Sequence, residues 1–428
     1  MEDRIDEILK NLIDSGSQIP YIKELKDKSI DEIKKDVDLK EVLRGIADDI
    51  EVITRMFLEK KNQFDTSLIT GISTGVYLPD YENDSKYKLK VVGGTTSRNG
   101  GVEVDNNTLF DVASITKLYT LILTFKLEEL GILDLNTPIK DINPDFQNLE
   151  DFTVTDILRL SGEYRTDGNV ATAESYEEAL KRFKTLYLVN SDRNYYKYND
   201  FGAMVLADTI EKVVSKALGR EMKYDEIMNE FLFIPLFIKN TTFTPGIINV
   251  SGNANDLGLP HDPKSRNLGG VTGHAGLFTS SEGLIDLSEG ILNGGYLDQE
   301  HIDRLGETIH EGSSKGNLGV YLPHPDGWDA TYNPPEFSKG SFSHQGWTGA
   351  VASFDPNNKI HNNILVNAIE NNPNKDKLKN DKPLGFKESF GLYQSELIKR
   401  IMLMFVVKKY YNKYCNVHET INEDRKIL

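Results

Sequence analysis

The chain has 428 residues, with 49 Lys and Arg against 66 Asp and Glu, a formal net charge of -17, and 39% hydrophobic residues. This is the balance of a globular protein with a sizeable core, and it excludes the disordered and fibrous classes. The acidic excess sits in residues 65–370 and repels nucleic acid, so no nucleic-acid partner is expected.

The opening MEDRIDEILKNLIDSG has acidic residues where a signal peptide needs a basic head, and it has no apolar core, so a cytoplasmic protein is expected. Residues 2–13 place Ile5, Ile8, Leu9 and Leu12 at helical spacing. Residues 40–59 do the same with Val42, Leu43, Ile46, Ile50, Ile53 and Phe57. They read as an N-terminal helical appendage over 1–64 that packs on the main domain, on a second copy of the chain or on another partner. From Ser67 the texture becomes β-branched and Gly-punctuated, with LITGISTGVYL and YKLKVVGGTT separated by the polar DYENDSK, which predicts an antiparallel hairpin. After Phe110 a long helix is predicted, with Leu118, Leu121, Ile122, Phe125 and Leu130 on one face and Gly131 as its C-cap.

Residues 150–300 are mostly helical or loop-like, including AMVLADTIEKVV from Ala203 and the Gly-rich LGGVTGHAGL from Leu268. Strand texture returns with FSHQGWTGAVASFDP and HNNILVNAIE, and an apolar-faced helix follows around residues 388–414. The basic residues 371–428, twelve Lys and Arg against seven Asp and Glu, read as a solvated helix face. Ile401 to Val407, the longest apolar stretch, falls far short of the ~20 residues that span a bilayer, so no membrane span is expected. The single Cys415 excludes an intramolecular disulfide and a Cys-rich zinc site. Together these elements predict an α+β main domain over 65–415, its α/β part at 65–112 and 320–415 and its mainly α part at 113–319, followed by a tail at 416–428.

Chemistry concentrates at Ala113-Ser114-Ile115-Thr116-Lys117, where the long helix starts. Residues three apart on a helix share a face, so the Lys117 amine reaches the Ser114 hydroxyl. A serine needs such a neighbour to lose its proton as it attacks, and the helix N-terminus favours the negative charge that develops. Ser85-Lys86-Tyr87-Lys88 has the same spacing but leads into a strand, where residues three apart point to opposite faces.

VDNNTLFDVASITKLYT resembles the nucleophile segment of the class C β-lactamase-like family, within the penicillin-binding-protein and serine β-lactamase superfamily. Tyr198-Asn199-Asp200 is similar to that family's Tyr-x-Asn/Asp element, and His344-Gln345-Gly346 to the His-x-Gly form of its third, strand-borne motif. Tyr81-Glu82-Asn83, Tyr414-Cys415-Asn416, His310-Glu311-Gly312 and His274-Ala275-Gly276 match the patterns too, but not in the required order or strand context. The likeness covers roughly residues 65–370 and departs from the family at ILRLSGEY, residues 157–164.

The resemblance implies a β-lactamase/transpeptidase-like fold and a serine hydrolase acting through an acyl-enzyme on Ser114. Lys117 and Tyr198 would share the base role, Asp200 would hold Lys117, and His344 would orient Tyr198 or the substrate. Ser114, Gly346 and Trp347 would form the oxyanion and substrate-binding edge. His344 stands where β-lactamases of the family carry a Lys, so the charge for a substrate carboxylate is missing, and an esterase or D-amino-acid amidase acting on a small molecule or short peptide is favoured over a β-lactamase. A penicillin-binding or sensor module on the same fold is the alternative. No His-Glu-x-x-His is present and His261-Asp262 has no third residue at ligand spacing, so neither metal nor cofactor is expected.

Overall fold

The computed structural model describes residues 39–61, 65, 67–79, 86–98, 101–247, 249–252, 256–309, 313–323, 337–368, parts of 393–404, and 421–427. The expectations placed on residues 2–13, Tyr81, Ser85, His310, Tyr414 and Cys415 lie outside the described residues.

Six strands form the main sheet: β1 (Gly71–Leu78), β2 (Tyr87–Gly94), β3 (Phe342–Gln345), β4 (Val351–Asp355), β5 (Ile360–Val366) and β6 (Ile421–Ile427). Their order is β6-β2-β1-β5-β4-β3, with β6 parallel to β2 and every other pair antiparallel. The register Ile72↔Val366 joins the two ends of the fold, so the hairpin near the start and the strands near the end close on one another. All eight residues of β1 are buried, as a central strand covered on both faces requires.

Helix α1 (Leu39–Leu58) lays Leu43, Ile46, Ile50 and Phe57 on one face of the sheet, against Ile72, Val76, Leu89 and Val91. Tyr393, Leu397, Ile401 and Met404 complete that cluster at helical spacing. Each such aliphatic side chain, fully buried, contributes about 1.5–3 kcal/mol. Of the expected placements, residues 39–58 take the one on the main domain, and their apolar stripe joins its core.

Within the segment read as a tail, 416–428, residues 421–427 form β6. Their sequence, INEDRKI, is charged, which suits an edge strand, and Arg425 pairs with Asp48 while Lys426 pairs with Glu103.

The mainly α part is built around α2 (Thr116–Glu129), buried continuously from Thr116 to Phe125. The one-faced helix read from its sequence is thus enclosed on all sides, and Leu130, assigned to the buried stripe, is 49% exposed. Gly131 turns the chain with φ +67°, a conformation costly for other residues. Helix α3 (Phe201–Leu218) packs on α2, and α4 (Pro263–Asn267) follows a loop further along. Helix α5 (Ser281–Leu292) lies on β1 and β5, joining the two parts of the domain.

Candidate active site

Ser114 lies in a short 3-10 turn, Ala113–Ile115, that feeds directly into α2. Ala113 holds φ +44°, a left-handed conformation rare for a residue with a side chain, and its N–H is fixed by Asp111 Oδ1 at 2.8 Å. Asp111 also accepts from His261 N at 2.6 Å; burial nevertheless pushes its carboxyl up to about 6, against these two amides. The turn is therefore braced from below. It presents Ser114 to Lys117, whose Nζ donates to Ser114 Oγ at 2.9 Å.

Lys117 is fully buried and also donates to Asp200 Oδ1 at 2.8 Å and to the His274 carbonyl at 3.3 Å. Burial opposes its charge, but the Asp200 carboxylate and Tyr198 outweigh that penalty and raise its pKa above the ordinary lysine value. Asp200 is available for this because of how α3 begins. Asn199 Oδ1, rather than Asp200, accepts the Gly202 N–H at 3.0 Å, which leaves the Asp200 carboxylate to the lysine.

Tyr198 stands at the mouth, 45% exposed, with its ring centroid 5.1 Å from Lys117 Nζ. Its loop is anchored by a bridge between Tyr196 and Ser161 and by the Lys197 N–H on the Leu160 carbonyl at 3.3 Å. ILRLSGEY, the segment that departs from the family pattern, is thus the support of this loop. On the other side, the Tyr198 ring lies on Gly319: a Cβ there would sit 2.4 Å from Tyr198 Cε2, and Gly319 has φ +81°. Only glycine fits both constraints.

The third wall is β3, which packs against the Ala113–Ile115 turn. His344 lies on it, fully buried, with Nδ1 2.9 Å from the Gln345 carbonyl and Nε2 3.4 Å from the Leu318 carbonyl. Burial first, then the Lys117 charge, lower its pKa to about 4, so the ring is neutral. Both ring nitrogens face backbone carbonyls, and the ring meets Tyr198 through the Leu318–Gly319 turn. The Gly346 N–H donates to the Ala350 carbonyl at 2.7 Å. A Cβ on Gly346 would lie 2.4 Å from the Val112 carbonyl, so glycine there lets the strand end close on the nucleophile's turn. Trp347 follows at the rim, 44% exposed.

Sequence reading missed a second layer of charge. Lys264 Nζ, on α4, lies 2.9 Å from Asp200 Oδ2 and 3.6 Å from Asp262 Oδ2, and Asp262 Oδ1 lies 2.9 Å from His274 Nε2. Burial opposes ionisation of Asp262, but His274 and Lys264 hold its carboxyl well below the usual range. Asp200, Asp262 and His274 place ligand-type atoms within 4.8 Å of one another. They come from three separate segments, so spacing along the chain could not reveal them. The ammonium groups of Lys117 and Lys264 already neutralise these two carboxylates.

The fold has counterparts in known proteins. The Beta-lactamase family model matches residues 68–381. A Salmonella gallinarum protein named "Putative D-alanyl-D-alanine carboxypeptidase" is 26% identical over 331 residues, 65% of this chain and 73% of its own. Among solved structures, a class C β-lactamase in complex with cefoxitin aligns with a TM-score of 0.60 and 16% identity, over 85% of this chain and 99% of that one. D-amino acid amidase from Ochrobactrum anthropi SV3 aligns with a TM-score of 0.57 and 16% identity, over 86% and 98%. A D-alanine carboxypeptidase from Burkholderia cenocepacia gives 0.57 and 15%, over 83% and 99%. With most of its length matched by the family model, and with the fold those structures share, the chain belongs to the beta-lactamase family of serine hydrolases.

Proposed function

We propose that Ser114 is the acylated nucleophile and that the enzyme hydrolyses short-chain esters or D-amino-acid amides in preference to β-lactams. The observation that carries this is the buried Lys117 ammonium, 2.9 Å from Ser114 Oγ and 2.8 Å from Asp200 Oδ1. An ammonium donates and cannot accept, so in this state Lys117 orients Oγ and stabilises charge on it. Tyr198, stationed over the Lys117 ammonium and acting as its phenolate, takes the serine proton as Oγ attacks the carbonyl, becomes the neutral phenol, and returns that proton to the leaving group as it departs. A water deprotonated at Tyr198 then attacks the acyl-enzyme and frees Ser114. The amides of Ser114 and Trp347 bind the tetrahedral oxyanion, a contribution of ~3 kcal/mol per donor in comparable enzymes.

The substrate preference rests on β3. His344 is neutral and enclosed, so that position offers no fixed cation for the carboxylate of a penicillin or cephalosporin. No helix among the described residues is long and apolar enough to cross a membrane, and the substrate is a small molecule or short peptide reaching the cleft from solution. A partner contact through α1 would use its exposed Val52 and Met56, since its apolar stripe is buried on the sheet.

Steady-state kinetics with p-nitrophenyl acetate, a D-amino-acid p-nitroanilide and nitrocefin test the preference. Higher kcat/KM for the ester or the amide supports it; efficient nitrocefin hydrolysis with the others barely turned over reverses it. An adduct that forms and never turns over would make the protein a binding module.

A further inference from the structure

The carboxylate that holds Lys117 is itself gripped from its other side. Asp200 Oδ1 takes Lys117 at 2.8 Å, and Oδ2 takes Lys264 at 2.9 Å. Lys264 is placed by α4, whose first turn is fixed by Asp262 Oδ1 accepting the Ser265 N–H at 2.8 Å, and its side chain is 21% exposed. Asp262 is a weaker partner for it. Its Oδ1 is engaged by His274 and Ser265, and its Oδ2 stands 3.6 Å from Lys264, so Lys264 leans on Asp200.

We propose that Lys264 is a positioning residue of the acylation machinery: by sharing Asp200 with Lys117, it fixes where the Lys117 ammonium sits on Ser114. This inference rests on the Ser114 reading above.

Two physical effects support it. A carboxylate paired through one oxygen can turn about its Cβ–Cγ bond and drag its partner; a second cation on the other oxygen fixes its plane. The second effect is charge balance. Lys117 and Lys264 face Asp200 and Asp262 in a site closed by Tyr198 from its loop, by His274 from the Gly-rich segment and, further out, by Asp111 and Arg266. Without Lys264, two carboxylates would surround one ammonium in a poorly solvated space, a state relieved by protonating one of them. Burial pushes the Asp200 carboxyl up, whereas Lys117, His274 and Lys264 together hold it well below the usual range. Loss of Lys264 raises it, and a protonated Asp200 releases Lys117.

The test uses the full chain carrying K264M, K264R, or K264M combined with D262N. Asparagine at 262 keeps an oxygen for the Ser265 cap and for His274 while dropping the charge. Hydrolysis of p-nitrophenyl acetate is followed against pH, with thermal melts of each protein. K264M is expected to lower kcat at neutral pH between about 10- and about 100-fold, the range for a displaced catalytic group. Its KM should change little, and the acid limb of its kcat profile should move to higher pH. K264R should keep most of the activity, and the double variant should regain part of it because the unbalanced carboxylate is gone. Normal wild-type acylation with an unmoved K264M profile overturns this inference alone, and so does a K264M loss seen only as a lower melting temperature. Failure of wild-type Ser114 to acylate overturns the Ser114 reading and this one with it.

Discussion

The floor and the β3 wall of the cleft both draw polar side chains out of water, the wall more completely, and they differ in charge. On the floor, Lys117, Asp200, Lys264 and Asp262 are ionised, each with an opposite charge within 4 Å. On the wall, His344 is fully enclosed, as Lys117 is, yet its neighbours are two backbone carbonyls and the Lys117 cation, and its ring is neutral. Burial penalises charge in both places; the partners decide whether charge survives. On the proposed reading, charge and proton transfer belong to the floor together with Tyr198 above it, and shape belongs to the wall.

The largest effects are expected from the floor. Lys117→Ala should lower the acylation rate by at least ~100-fold, the lower range for acid–base catalysis, as should Tyr198→Phe, with acyl-enzyme formation by p-nitrophenyl acetate as the measure. A wild-type rate in Tyr198→Phe would move the base elsewhere and break the comparison. Gly319→Ala sits between the two regions. The added methyl meets the Tyr198 ring and burdens a left-handed residue, so a loss of about 10-fold in kcat is expected from misplacing that ring, with the protein still folded. Unchanged kcat would show that Tyr198 is not held from this side.

The wall variant His344→Gln should alter kcat less than either floor variant, because it removes no charge at neutral pH. Its signature is in stability. The unfolded chain protonates His344 near 6.5, whereas the folded chain does so only near about 4, so the unfolded state binds more protons in between and stability declines as pH falls through that window. His361, buried and lowered to about 3, acts in the same direction. Denaturant melts of His344→Gln across this range should show a shallower decline than wild type. An identical slope would mean that the ring is already charged.

The difference between floor and wall also explains what was legible in the sequence. Ser114 and Lys117 are three apart on one helical turn, and Asp200 sits in a motif whose order along the chain could be followed. The hairpin, the returning strands and the mainly α middle showed in the 2- and 3.6-residue periods. Lys264 and Asp262 carried no such signal: they reach Asp200 across long stretches of chain, and a polar HDPKS segment reads as ordinary loop. His344 was assigned from its motif, but the direction of its nitrogens depends on the Leu318–Gly319 turn, which no pattern marks. Gly346 was assigned from the same motif, and what no pattern marks is the missing Cβ that lets it close on Val112. Residues 421–427 looked like a tail because their charges mask an edge strand.

On the proposed reading, the charged floor makes Ser114 a nucleophile. Peptide mass mapping after treatment with a fluorophosphonate probe tests it most directly. One phosphonylated residue, Ser114, is expected in the wild-type protein, and no adduct in a folded Ser114→Ala variant. An unmodified Ser114, or an adduct on another serine that survives in Ser114→Ala, would contradict it.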